Sequence, residues 1–211
     1  MLRPSRRGFL LAGGAVALLS ADPLKPEPVG CSLPESARGY QSACASPAIR
    51  VLPAASAISG SAVLELRSFI EKGGFVLFES GASFAGPEIF KRQQALFQSA
   101  FGISLLRPFG LWNGGHPPYV EYRWPIKASV RDFSRAIAIE PDGGETIASV
   151  GSMPVAILCE IGAGALVFLG SPLGPHLLAG DPDASRWLTA LERTAALPAE
   201  LRTRPPQAET I

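Results

Sequence analysis

The sequence predicts an α/β domain of three layers around a mostly parallel sheet. Three observations carry this expectation. Continuous apolar runs at 75–78 and 165–169 suit strands buried on both faces. Stretches at 62–72 and 87–100 read as helices, the first with its apolar residues on one face. Glycine and proline separate the segments, giving the strand–helix–strand–helix rhythm of parallel units. The 211 residues suit one domain with an extension, and 47% hydrophobic content excludes wholesale disorder. A formal net charge of +1 offers no basic field for nucleic acid. Two His and three scattered Cys exclude zinc ribbons and iron–sulfur clusters. No cofactor motif is present, so neither a metal nor a cofactor is expected.

Residues 1–21 read as an export signal. Arg3, Arg6 and Arg7 give a positive start without an acid. The run from Phe9 to Leu19 is apolar over 11 residues, short of the ~20 that span a bilayer. The hexapeptide SRRGFL from Ser5 resembles the twin-arginine export signal, marked by Arg6, Arg7, Phe9 and Leu10. An ordinary secretory signal with two arginines is the alternative. Either predicts a periplasmic or otherwise exported chain with no span in its mature form. Loss of those three arginines from 19 basic residues leaves 16 against 18 acids, formally −2.

Residues 22–47 read as a proline-rich arm, since Pro23, Pro26, Pro28 and Pro34 break any helix. Cys31 and Cys44 lie in it with 12 residues between them. An oxidising compartment allows a disulfide there, and two free thiols in an unstructured arm are the alternative. Cys159, in an apolar run, reads as a small buried hydrophobe.

The α/β domain is expected over 48–197. A strand at 48–53 precedes a helix at 62–72 capped by Ser59 or Ser61, and Gly73-Gly74 ends that helix. After the strand at 75–78, Pro87 suits the first turn of a second helix and Gly102 its end. Residues 106–134 form an aromatic, β-rich insert holding Trp112, His116, Tyr119 and Trp124. Within it, 119–124 alternates, with Val120, Tyr122 and Trp124 on one face. Short strands at 136–140 and 146–150 follow. Then 154–160, a glycine turn and 165–169 make a β-hairpin. Asp183 is expected to cap a last helix at 184–196, and 198–211 reads as a flexible tail.

Three stretches together resemble a class I glutamine amidotransferase-like domain on a flavodoxin-like fold. They are IRVLPA from Ile49, the helix ending in Lys72-Gly73-Gly74 before FVLFESG from Phe75, and GAGALVFLG from Gly162. The resemblance covers 49–105 and 152–196. It implies a sheet truncated on the N-terminal side, because the usual leading βα units are missing. It also implies a bacterial envelope setting beside sugar-handling proteins.

The resemblance further implies a nucleophile on the turn after strand 75–78. Active members carry Cys there between small residues; here Ser80 stands at that place and no Cys is near. His176 falls where active members carry His-x-Glu, but Leu178 replaces the acid and Asp181 is the nearest substitute. Transfer through a thiolate is thereby excluded. A Ser80–His176–Asp181 triad is one candidate, and Glu79 with Asp181 as acid and base is another. The bland reading makes these residues turn caps. The loop 170–175 follows a buried strand and could wrap an anion, but its prolines favour a plain turn.

The expected site is one pocket at the carboxyl ends of the strands. Glu79, Ser80, Ser171 and His176 line it, Trp112 or Tyr119 roofs it, and His116 points inward. The expected function is an exported, catalytically inactive amidotransferase-like binding module of the envelope. Its partner is an envelope protein or a small-molecule or carbohydrate ligand. The rival is a periplasmic hydrolase using Ser80 or Glu79 with His176.

Overall fold

The computed structural model describes residues 39–40, 48–112, 118–132 and 134–202. All of them belong to one compact unit, 33–211. The export signal with Arg6, Arg7, Phe9 and Leu10, the cysteines Cys31 and Cys44, and His116 lie outside the described residues.

The first strands and helices among the described residues are β1 (Ile49–Ala55), α1 (Gly60–Glu71) and β2 (Phe75–Ser80). Ser59 caps α1 by accepting from the Ala62 N–H at 3.1 Å. Helix α2 (Pro87–Phe101) starts with its proline in the first turn and ends at Gly102 in the left-handed region. Strands β3 (Leu105–Gly110), β4 (Tyr119–Tyr122), β5 (Ala128–Arg131) and β6 (Arg135–Ile139) follow. Then come β7 (Glu145–Val150), β8 (Met153–Ile161) and β9 (Gly164–Leu169). Helices α3 (Gly174–Leu178), α4 (Pro182–Ala195) and α5 (Ala199–Arg202) end the described chain.

The sheet corrects the expected architecture. Its seven strands run β1-β2-β9-β8-β7-β4-β5, and β3 pairs with β6 in a separate antiparallel ribbon. Only β1 with β2 and β2 with β9 are parallel. The pairings β9–β8, β8–β7, β7–β4 and β4–β5 are all antiparallel. The sheet is therefore mixed, not the mostly parallel flavodoxin-like sheet expected. The cause is local: two-residue turns with left-handed Gly151 and Gly162 (φ 57° and 61°) join β7 to β8 and β8 to β9. Such short connections force antiparallel neighbours. The aromatic stretch is no appendage either, since β4 and β5 extend the main sheet through β7.

Burial on both faces explains the continuous apolar runs. In β2, Phe75 and Leu77 face one core and Val76 and Phe78 the other. The second core holds α1, α2 and the ribbon, around Phe78, Phe97 and Phe168 with ring centroids 4.7–5.5 Å apart. The first holds α4 and Tyr40; there Tyr122 and Trp187 lie 4.5 Å apart, and the Trp187 Nε1–H donates to the Trp124 carbonyl at 2.8 Å. The cap of α4 is Asp181, not Asp183: its Oδ1 accepts from the Asp183 and Ala184 N–H groups at 2.8 and 3.0 Å. Pro182 fits the first helical position, which fixes the residue before it as the cap. Among the described residues, no helix is long and apolar enough to cross a membrane.

Candidate functional site

The carboxyl end of β2 carries Glu79 and Ser80 into a cleft of about 430 Å³. The turn that follows is tight. A Cβ on Gly81 would lie 2.5 Å from the Ala54 carbonyl oxygen, so only glycine lets the ends of β1 and β2 close up. Ala54 itself has φ 45°. The loop after β9 supplies Pro172, the short helix α3 supplies Pro175 and His176, and the segment between β5 and β6 supplies Asp132 and Ser134.

Glu79 is 1% exposed. Its Oε2 accepts from the Tyr40 hydroxyl and from the Gly174 N–H, the latter at 3.1 Å. Burial pushes its carboxyl above the ordinary value, while the Tyr40 and Gly174 donors pull it back. The Tyr40 hydroxyl is driven well above its usual range by the same burial and by the neighbouring carboxylate. Tyr40 thus enters the site as a neutral donor.

Ser80 is engaged. Its Oγ–H donates to Gln93 Oε1 at 2.5 Å, and Gln93 Nε2–H donates to the Ala55 carbonyl at 3.1 Å. The hydroxyl proton thus points at an amide oxygen, which cannot serve as a general base. His176 pairs with a carboxylate other than the expected one: its Nε2 lies 3.7 Å from Asp132 Oδ1. Asp181 instead caps α4, and its own N–H donates to the His176 carbonyl at 2.9 Å. The proposed triad acid is therefore a helix cap.

Asp132 is 2% exposed. Its Oδ1 accepts from the Ser134 N–H at 2.8 Å. Asp132 Oδ2, Ser134 Oγ and His176 Nε2 are buried without a hydrogen-bond partner among the described residues. Such atoms cost ~1–3 kcal/mol each unless something pairs with them.

Glu79, Ser80 and His176 come together in the cleft; Ser171, Trp112 and Tyr119 do not line it. Ser171 is buried beside it in the fold. Trp112 and Tyr119 are exposed elsewhere, with the Arg131 guanidinium 5.9 Å above the Tyr119 ring. The expected aromatic roof is thus corrected: Tyr122 and Trp124 sit in the core, and the mouth is formed by Phe84 (60% exposed) and Leu178 (50% exposed). Sequence reasoning missed Asp132, Ser134, Phe84 and Leu178. The one local signal was Asp132 two residues before Ser134, a spacing at which a side-chain turn bond forms. Among the described residues, no group of three or more His, Cys, Asp or Glu is placed to hold a metal.

No family model and no curated protein matches the chain. Solved structures do. A β-galactosidase from Rahnella sp. R3 aligns with a TM-score of 0.54 at 14% identity, over 75% of this chain and 24% of that one. The chain shares its fold with part of that enzyme. An exo-β-1,4-mannosidase from Opitutaceae bacterium strain TAV5 aligns with a TM-score of 0.49 at 16% identity, over 67% of this chain and 24% of that one. A β-galactosidase from Halorubrum lacusprofundi gives 0.48 at 20%, over 67% and 22%. The chain spans about a quarter of the length of these structures. The mixed sheet and the fold shared with part of the Rahnella β-galactosidase overturn the amidotransferase-like resemblance.

Proposed function

We propose that this chain is an exported, carbohydrate-binding module of the cell envelope, acting through the cleft at the end of β2. The observation that carries the reading is the make-up of the cleft. Exposed Phe84 and Leu178 form an apolar mouth above Glu79, Asp132, Ser134 and His176. A sugar ring has an apolar face and a rim of hydroxyls, which such a mouth and floor complement. The β-galactosidase whose fold it shares in part supports a carbohydrate setting. The engagement of Ser80 by Gln93 and of Asp181 as a cap supports binding without turnover. The twin-arginine-like start of the sequence supports export.

The test is a calorimetric titration of the mature chain with β-galacto-oligosaccharides, repeated with Phe84→Ala and Leu178→Ala. Both side chains are largely exposed, so the fold survives and affinity falls. Saccharide binding untouched by either substitution, or no binding at all, refutes the reading.

The Asp132–His176 pairing favours a second reading, a hydrolase with His176 as base and Glu79 beside it. Turnover of a chromogenic β-galactoside, lost in His176→Ala, would decide for it.

A further inference from the structure

The cleft floor is unbalanced in hydrogen-bonding character. Among the described residues, its charged or chargeable side chains are Glu79, Asp132 and His176, and no Lys or Arg lines it. Glu79 Oε2 is already supplied with two donors. Asp132 is not: one of its oxygens takes the Ser134 N–H and the other takes nothing. Ser134 Oγ is also without a partner, and His176 Nε2 meets Asp132 only at Oδ1, across 3.7 Å. Two acceptor atoms on residues tied by that N–H bond, Asp132 Oδ2 on a carboxylate 2% exposed and Ser134 Oγ, therefore lack a donor. A neutral hydroxyl brings one proton to such a spot. A primary ammonium brings three, with a charge opposite to that of the carboxylate.

We infer that the cleft takes an amino sugar with a free amine, its ammonium seated on Asp132 and Ser134. This rests on the carbohydrate-binding reading and narrows its ligand class. An acidic sugar is disfavoured by the two carboxylates, with no Lys or Arg among the described lining residues to offset its charge. N-acetylation removes the positive charge and two of the three protons, and adds bulk at the floor. Phe84 and Leu178 contact the ring face in either case, so they do not discriminate.

The test is an NMR titration of the mature chain with three probes: the methyl β-glycosides of galactosamine, N-acetylgalactosamine and galactose. The amine is expected to bind about tenfold or more tightly than the other two, as suits one charge-assisted interaction in a buried site. Asp132→Asn, which keeps the side-chain volume, should bring the three affinities level. Ser134→Ala is the second variant, and should reduce the preference in part should Asp132→Asn fail to fold. Equal binding of the three probes by the native chain overturns the amine assignment and leaves the carbohydrate reading standing. Binding of none of them overturns both.

Discussion

Tyr40→Phe isolates the contact that ties the chain around residue 40 to the cleft floor. The substitution keeps the buried ring and deletes the hydroxyl that donates to Glu79 Oε2. The Gly174 N–H stays on that oxygen. A hydrogen bond to a charged acceptor contributes ~1.5–3 kcal/mol. For a domain of this size the loss lowers Tm by ~3–12 °C. The effect has a pH sign. Burial raises the Glu79 carboxyl above its unfolded value, so the folded chain keeps this proton to higher pH. That contribution to stability is fully present below the unfolded value and is lost as pH rises through the folded one. The Tyr40 hydroxyl opposes the rise. Without it the folded value climbs further, and ionising Glu79 costs more. The stability gap between native chain and variant therefore widens from acid toward neutral pH. Urea denaturation followed by tryptophan fluorescence measures it, and Glu79→Gln completes a double-mutant cycle. A coupling below ~0.5 kcal/mol, or a gap that does not change with pH, refutes the reasoning.

Phe97→Ala, at the centre of the aromatic cluster under α2, should cost ~3–5 kcal/mol by denaturant unfolding. Cys159 is 2% exposed and burial pushes its thiol up to about 12, so a thiol reagent should label it only in denaturant. Replacing Arg6 and Arg7 together by Lys should hold the precursor in the cytoplasm; an unchanged exported yield, read by fractionation, counts against the twin-arginine reading.

Strands and helices were legible because burial writes them locally. The run from Phe75 to Phe78 has apolar residues on both faces, and both faces are covered. Val120, Tyr122 and Trp124 alternate, and all three are buried. Strand direction was harder to read. The turn at Gly162 marks β8 and β9 as a hairpin, but the pairing of Glu121 with Ser149, which draws β4 into the main sheet, has no local signature. The same holds for the site. Glu79, Ser80 and His176 follow apolar strands, and their position on the chain announces them. Tyr40 reaches Glu79 across 39 residues and Gly174 reaches it across 95, and nothing near either residue signals the partner. Nothing near Phe84 or Leu178 in the sequence marks them for the site. Only the fold turns them toward one mouth.

The position of the cleft follows from the topology. Strands β1 and β2 both lead into helices on the same face, since α1 and α2 pack in the core around Phe97. Their two connections run side by side and leave no gap. Strand β9 lies parallel to β2 on its other side, but its chain leads to α4 on the opposite face, in the core around Trp187. Between β2 and β9 the connections diverge, and in open sheets such a divergence leaves a crevice beyond the carboxyl ends of the strands. The lining agrees: Glu79, Ser80 and Gly81 come from one side of the divergence, and Pro172, Pro175 and His176 from the other. Strands β8, β7, β4 and β5, joined antiparallel, add no second divergence of this kind. They bring Asp132 and Ser134 over from the far half of the sheet to close the crevice. The parallel strands thus open the site, and the antiparallel half supplies the Asp132 carboxylate on which the proposed amine preference rests.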